Sequence, residues 1–235
     1  WLFQSFAVCR RFKTHTMAAS LISRPVYWLG SRLYLNVTAQ CNAVPLCLQR
    51  GPGFAMPEES GFSKLDFEPS VDEMFDAVED AYKNDERKDI VGMGENDGGV
   101  IFAGYGEPLL RLDEITEAAQ RIKESRHGVP LSIKSNGLFP GEDGVSVAQR
   151  LKSSGIDSAS IFVPCANPKQ FDEIMKPASP DLNFGKLCEF IVSLTDNGVQ
   201  VKASTVSRQG VDVNEIRQLA AALGATETQV KAYFD

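Results

Sequence analysis

A chain of 235 residues, 43% apolar and 23% charged, can bury one core of ordinary domain size, and no apolar run reaches the roughly 20 residues of a membrane span. Its formal charge of −7 is uneven: residues 1–57 hold six Lys or Arg and no acid, leaving 18 basic against 31 acidic residues in the rest, a body ill suited to nucleic acid. Five cysteines (Cys9, Cys41, Cys47, Cys165, Cys188) form an odd set without framework spacing, which fits an intracellular, reducing compartment and argues against a disulfide-stapled secreted domain.

Residues 1–29 read as a leader separate from a domain over residues 30–235. They are basic, acid-free and scattered with Ser and Thr, the composition of a chloroplast or mitochondrial transit peptide. The alternative is a disordered or non-native extension, with Met17 as a start and a cytoplasmic chain.

The first strand is an apolar, β-prone run, Leu33 to Thr38, which empties into a loop with Cys41 and Cys47. A linker rich in Gly, Pro and acids follows from Gly51 to Pro69, and its acidic part, Glu58 to Glu68, reads as solvated. Ser70-Val71-Asp72-Glu73 is a capping box opening a helix that buries Met74, Phe75, Val78 and Ala81. The second strand, Val100 to Ala103, leads through Gly104-Tyr105-Gly106-Glu107-Pro108 to a helix from about Leu112 to Arg126. Pro130 to Lys134 is the third strand, and a helix of about Val145 to Ser154 follows. The fourth strand, Ser158 to Val163, precedes a short helix capped by Asn167-Pro168 and a longer one from about Asn183 to Asp196. A fifth strand (Gln200 to Val206), a helix capped at Asp212 and a sixth strand (Gln229 to Phe234) complete the chain. Strands alternating with helices mean βαβ units and a parallel sheet. Six units suit an open, partial α/β barrel; a doubly wound sheet is the competing arrangement, and periodicity does not separate the two.

In a parallel barrel the loops at the C-terminal strand ends line the working face. Cys41 and Cys47 share one such loop, and Cys165 lies at the end of the fourth strand, so these three are the candidate metal ligands, for iron–sulfur or zinc. Small half-buried apolar side chains are the other reading of the same thiols. The glycines of Gly104-Tyr105-Gly106 allow close backbone approach to a ligand, with Glu107 and Pro108 at the strand's mouth and Ser135-Asn136 ending the next strand. The same loop could be an ordinary tight turn; it also imitates a dinucleotide fingerprint but lacks the third glycine. With only His15 and His127, histidine-based metal hydrolysis and a Ser-His triad are both disfavoured.

Five ordered blocks, YWLGSRLYLNVTAQCN, FAGYGEPLLRLDEI, IKSNGL, SIFVPCANPKQFDEIMKP and VSRQGVDV, make the chain from Tyr27 onward similar to radical S-adenosylmethionine (radical SAM) proteins, most of all the TatD-associated group. The resemblance implies a partial six-unit TIM-like barrel, a [4Fe–4S] cluster on three cysteines after the first strand, and S-adenosylmethionine cleaved to a radical at that cluster. It implies a cofactor site at Gly104, Gly106, Glu107, Pro108, Ser135 and Asn136, the Gly-Glu-Pro turn receiving the amino group of S-adenosylmethionine. The cysteine pattern departs from the family's: Cys41 matches the first ligand, but Pro45 and Leu48 stand at the second and third positions and Cys47 falls one place early. Two functions are therefore expected: a radical SAM enzyme with an unusual ligand set acting on an unknown small molecule, or a pseudoenzyme that keeps the barrel as a binding or scaffold module.

Overall fold

A computed structural model describes residues 25–56, 61–84 and 97–235. Strand β1 (Val26–Leu29) pairs antiparallel with β2 (Arg32–Asn36), Tyr27 opposite Tyr34. Residues 26–29, which composition assigned to the leader, are thus a strand of the sheet; the acid-free run continues into a segment whose alternating side chains have both faces to bury. Residues 1–24, the remainder of that leader, lie outside the described residues.

From β2 onward every pairing is parallel and in chain order: β3 (Val100–Ala103), β4 (Leu131–Ser135), β5 (Ser158–Phe162), β6 (Gln200–Ser207) and β7 (Glu227–Ala232). That order decides between the two arrangements left open by periodicity. A doubly wound sheet reverses direction at a switch point, whereas strands laid down one after another with crossovers of one hand keep the helices on a single face. The fold is a six-stranded parallel partial barrel with β1 added at its edge.

Helices α1 (Val71–Asn84), α2 (Leu112–Ser125), α3 (Gly144–Ser153), α4 (Pro168–Met175), α5 (Phe184–Asp196) and α6 (Val213–Ala222) cover the outer face. Their starts are dictated locally: Ser70 and Glu73 exchange hydrogen bonds at α1, and Asp143, Asn167, Asn183 and Asp212 accept backbone N–H groups at the four helices after α2. Leu33, Leu35, Phe102, Ile133 and Ile161 meet Met74, Ile115, Leu151 and Phe190 in the main core. Each such side chain, fully buried, contributes about 1.5–3 kcal/mol of transfer free energy. Intervening positions point the other way, and Tyr27, Tyr34, Ile101 and Ala103 form a second, smaller cluster there. Met56 and Phe62 pack on it, so part of the segment expected to be solvated covers the barrel's inner face instead. Glu68, in its acidic part, accepts from the Thr38 hydroxyl (2.7 Å) and pairs with Arg111 (3.5 Å). No helix among the described residues is long and apolar enough to cross a membrane.

The last strand sits two residues earlier than hydrophobicity indicates. Phe234 leaves the ladder: its N–H donates to Arg50 O (2.8 Å), and the Arg50 guanidinium stacks over both Phe54 and Phe234 (4.2 and 5.1 Å).

Candidate functional site

The loops after β2, β3 and β4 are stitched into one rim. Gly106 N–H donates to Thr38 O (3.0 Å) and Glu107 N–H to Gln40 O (2.8 Å), which lays the Gly-Tyr-Gly-Glu turn directly on the approach to Cys41. Both glycines are needed for this. At Gly104 φ is +134° and a Cβ would collide with the Asn36 side-chain oxygen; at Gly106 it would collide with Gln40 O. The carbonyls of Gly104, Tyr105 and Gly106 accept no backbone hydrogen bond from any described residue. Gly104 and Tyr105 are partly exposed, while Gly106 is buried.

Glu107 is fully buried, and its carboxylate is turned to the protein's own groups. Oε1 accepts from Leu109 N (2.9 Å) and Ser135 Oγ (2.7 Å), and Oε2 from Asn136 N (2.7 Å). Burial raises its pKa to about 7, against the pull of those three donors. Glu107 therefore fastens β3's loop to β4's rather than offering its carboxylate at the mouth of the strand. Ser135 and Asn136 are buried and engaged in the same way: Ser135 Oγ accepts from Gly137 N (2.8 Å), and Asn136 Nδ2 donates to Asn42 Oδ1 (2.9 Å) and approaches Cys41 Sγ (3.9 Å). Pro108 opens the short 3-10 turn 108–111 that leads into α2.

The thiols divide into two pairs. Cys41 and Cys47 share the rim loop; burial raises Cys41 to about 11 and pushes Cys47 up as well. Pro45 begins a turn in which Leu48 N–H donates to Pro45 O (2.9 Å), leaving Leu48 exposed. Cys165 is different. It belongs to the main core, its Sγ–H donates to Asn167 O (3.2 Å), and its thiol neighbour is Cys188 of α5. The structure does not bring it to the rim pair, because the end of β5 turns Cys165 into the helix layer. Among the described residues no three His, Cys, Asp or Glu side chains group as a metal site; Cys9 lies outside them. The described residues do not bring together the three thiols that a [4Fe–4S] cluster needs.

Residues not singled out by sequence complete the rim. Asn42 Nδ2 donates to Leu138 O (2.8 Å) and its carbonyl O accepts Ala178 N–H (2.8 Å), while Val44 N–H donates to Met175 O (2.8 Å). Arg208, just past β6, donates to Gln49 O (2.6 Å) and Gln49 Oε1 (2.8 Å), and Gln49 in turn donates to Ile174 O (3.2 Å). The thiol loop thus runs over the C-terminal strand ends and docks on β7, where Arg50 Nε donates to Ala232 O (3.3 Å). Arg111 holds the near end, donating to Val37 O (3.0 Å) and Pro69 O (2.7 Å). Polar side chains in otherwise apolar blocks (Asn42, Gln49, Arg208) were the available signal.

No family model matches the chain. Among solved structures, it is similar over 88% of its length to a radical SAM methyltransferase from Sphaerobacter thermophilus (TM-score 0.56, 13% identity, 68% of that chain). The fold is that of the radical SAM proteins. Streptococcus suis SuiB bound to S-adenosylmethionine shares this radical SAM fold over 86% of the present chain and 38% of its own (TM-score 0.57, 15% identity). A curated relative, the GTP 3',8-cyclase of Aquifex aeolicus, is 30% identical over 115 residues, 49% of this chain. The chain spans about a third of that relative's length.

Proposed function

We propose that this chain binds S-adenosylmethionine on the rim made by the loops after β2, β3 and β4 and serves as a binding or scaffold module, a radical SAM relative without the cluster. Its ordered sequence blocks ally it with the TatD-associated group. The observation that carries the proposal is the split thiol set: Cys41 sits on the rim beside the Gly-Glu-Pro loop with Cys47 farther along the same loop, while Cys165 is locked in the core. The ligand side is supported by the partly exposed carbonyls of Gly104 and Tyr105, which suit an amino group, and by SuiB, a protein of this fold bound to S-adenosylmethionine. The chain's own residues here bind and orient; Glu107, Ser135 and Asn136 keep the loops in register.

Anaerobic reconstitution with iron and sulfide, read by iron content and EPR, tests this. We expect sub-stoichiometric iron and no signal perturbed by S-adenosylmethionine, with the ligand still raising the melting temperature. A full cluster whose signal responds to S-adenosylmethionine would establish the enzyme instead, and iron lost in Cys165→Ser would make Cys165 its third ligand.

A further inference from the structure

One side of β7 is open. The strand pairs with β6 from Lys202 to Ser207 and, among the described residues, with no strand on its other side. In a ladder every second residue turns its N–H and C=O groups away from a given neighbour, so half of the backbone polar groups of β7 face this edge. Apart from Ala232 O, which accepts from Arg50 Nε, the N–H and C=O groups of β7 have no partner outside the sheet among the described residues. Glu227, Gln229 and Ala232 are exposed, and Thr228, Val230 and Lys231 partly so, which leaves the edge accessible along its length. Such an edge is a template for a further strand.

The charges on β7 select which strand fits. Side chains alternate, so Glu227, Gln229 and Lys231 share one face. Glu227 uses Oε2 to hold Lys202 on the neighbouring strand (2.9 Å), and Lys231 forms no ion pair among the described residues. The two charges stand two residues either side of Gln229. In a two-fold antiparallel pair, opposed residues share a face, so the axis passes through one residue. With the axis at Gln229, Glu227 of each copy falls directly opposite Lys231 of the other. An axis at Thr228 sets Glu227 against Gln229, and one at Val230 sets Lys231 against Gln229; each loses both opposite-charge pairs. Edge charges commonly block pairing, but opposite charges placed symmetrically favour a single register. The same register, carried past the strand, sets exposed Tyr233 opposite the small, partly exposed Ala225.

We propose that two copies of this chain associate through their β7 edges, antiparallel about Gln229, so that the two sheets run on as one and two Glu227–Lys231 pairs fix the register. This inference does not depend on S-adenosylmethionine binding at the rim. A six-residue strand pair with a small apolar flank lies at the low end of interface sizes, so the association is reversible, with a Kd on the order of micromolar.

The test is sedimentation velocity of the full chain over concentrations from about 1 to about 100 μM, with amide exchange of β7 followed over the same range. We expect a monomer–dimer equilibrium and slower exchange in β7 as concentration rises. Lys231→Glu and Glu227→Lys each set like charges opposite one another twice, and each should weaken self-association roughly tenfold or more. Mixed in equal amounts, the two variants should pair at least about tenfold more tightly than either does alone, because each strand then meets one of opposite charge. A folding defect in either variant could not produce that recovery. A monomer throughout with unchanged β7 exchange, a dimer indifferent to both substitutions, or a mixture no tighter than its components would overturn the proposal. Should a variant fail to fold, the concentration dependence of wild-type β7 exchange decides alone.

Discussion

Glu107 shows how much of the rim rests on one side chain. Its oxygens bind groups from its own loop and from the end of β4, so replacing it leaves buried donors unpaired. Glu107→Gln sets an amide N–H₂ against Leu109 and Ser135 or against Asn136, and should cost about 1–3 kcal/mol in chemical denaturation. The pH dependence has a definite sign. The folded-state pKa is raised from 4.5 to about 7, chiefly by burial, so the folded state holds the extra proton between those values. Stability conferred by the neutral acid is complete below about 4.5 and falls as pH rises through about 7, by on the order of 3 kcal/mol. Denaturation of wild type across that range should show this decline; Glu107→Gln should lack it. The sequence marked Glu107, Ser135 and Asn136 as one neighbourhood, because glycines after a strand and a polar strand end are local signals. It did not show that the three bind one another, since that follows from the register of β3 against β4.

At the scale of the element, caps were the most legible features. Ser70 and Glu73 bond reciprocally at the start of α1, and Ser70→Ala should lower stability by about 1 kcal/mol. Gly106→Ala is the sharper probe: its Cβ meets a backbone oxygen that cannot swing aside, so the turn must lift from the thiol loop. We expect a loss of at least about 2 kcal/mol and impaired S-adenosylmethionine binding, measured by denaturation and calorimetry. The two ends of the sheet were read less well, each for a stated reason. β1 follows an acid-free stretch whose composition outweighs its alternation, and the aromatic pair Tyr233-Phe234 draws the last strand outward when Phe234 in fact packs on Arg50 and Phe54.

For the whole molecule, the alternation of strands and helices was plain in the sequence, but the sense in which they wind was not. Strand order is a long-range property, and it alone makes this a barrel with one helical face and one inner face. The same long-range geometry separates Cys165 from Cys41 and Cys47, which a reading by strand ends placed together. It also turns Phe62 inward against Tyr27 (5.3 Å between rings), so Phe62→Ala should loosen the covered half of the barrel and raise amide exchange in β1 and β2. The central claim, a rim that holds S-adenosylmethionine without a cluster, is most directly tested by isothermal titration of the chelator-treated, metal-free chain with S-adenosylmethionine. Saturable binding without iron, weakened in Gly106→Ala, is the predicted result. Binding seen only after a full iron–sulfur cluster has been rebuilt would contradict it.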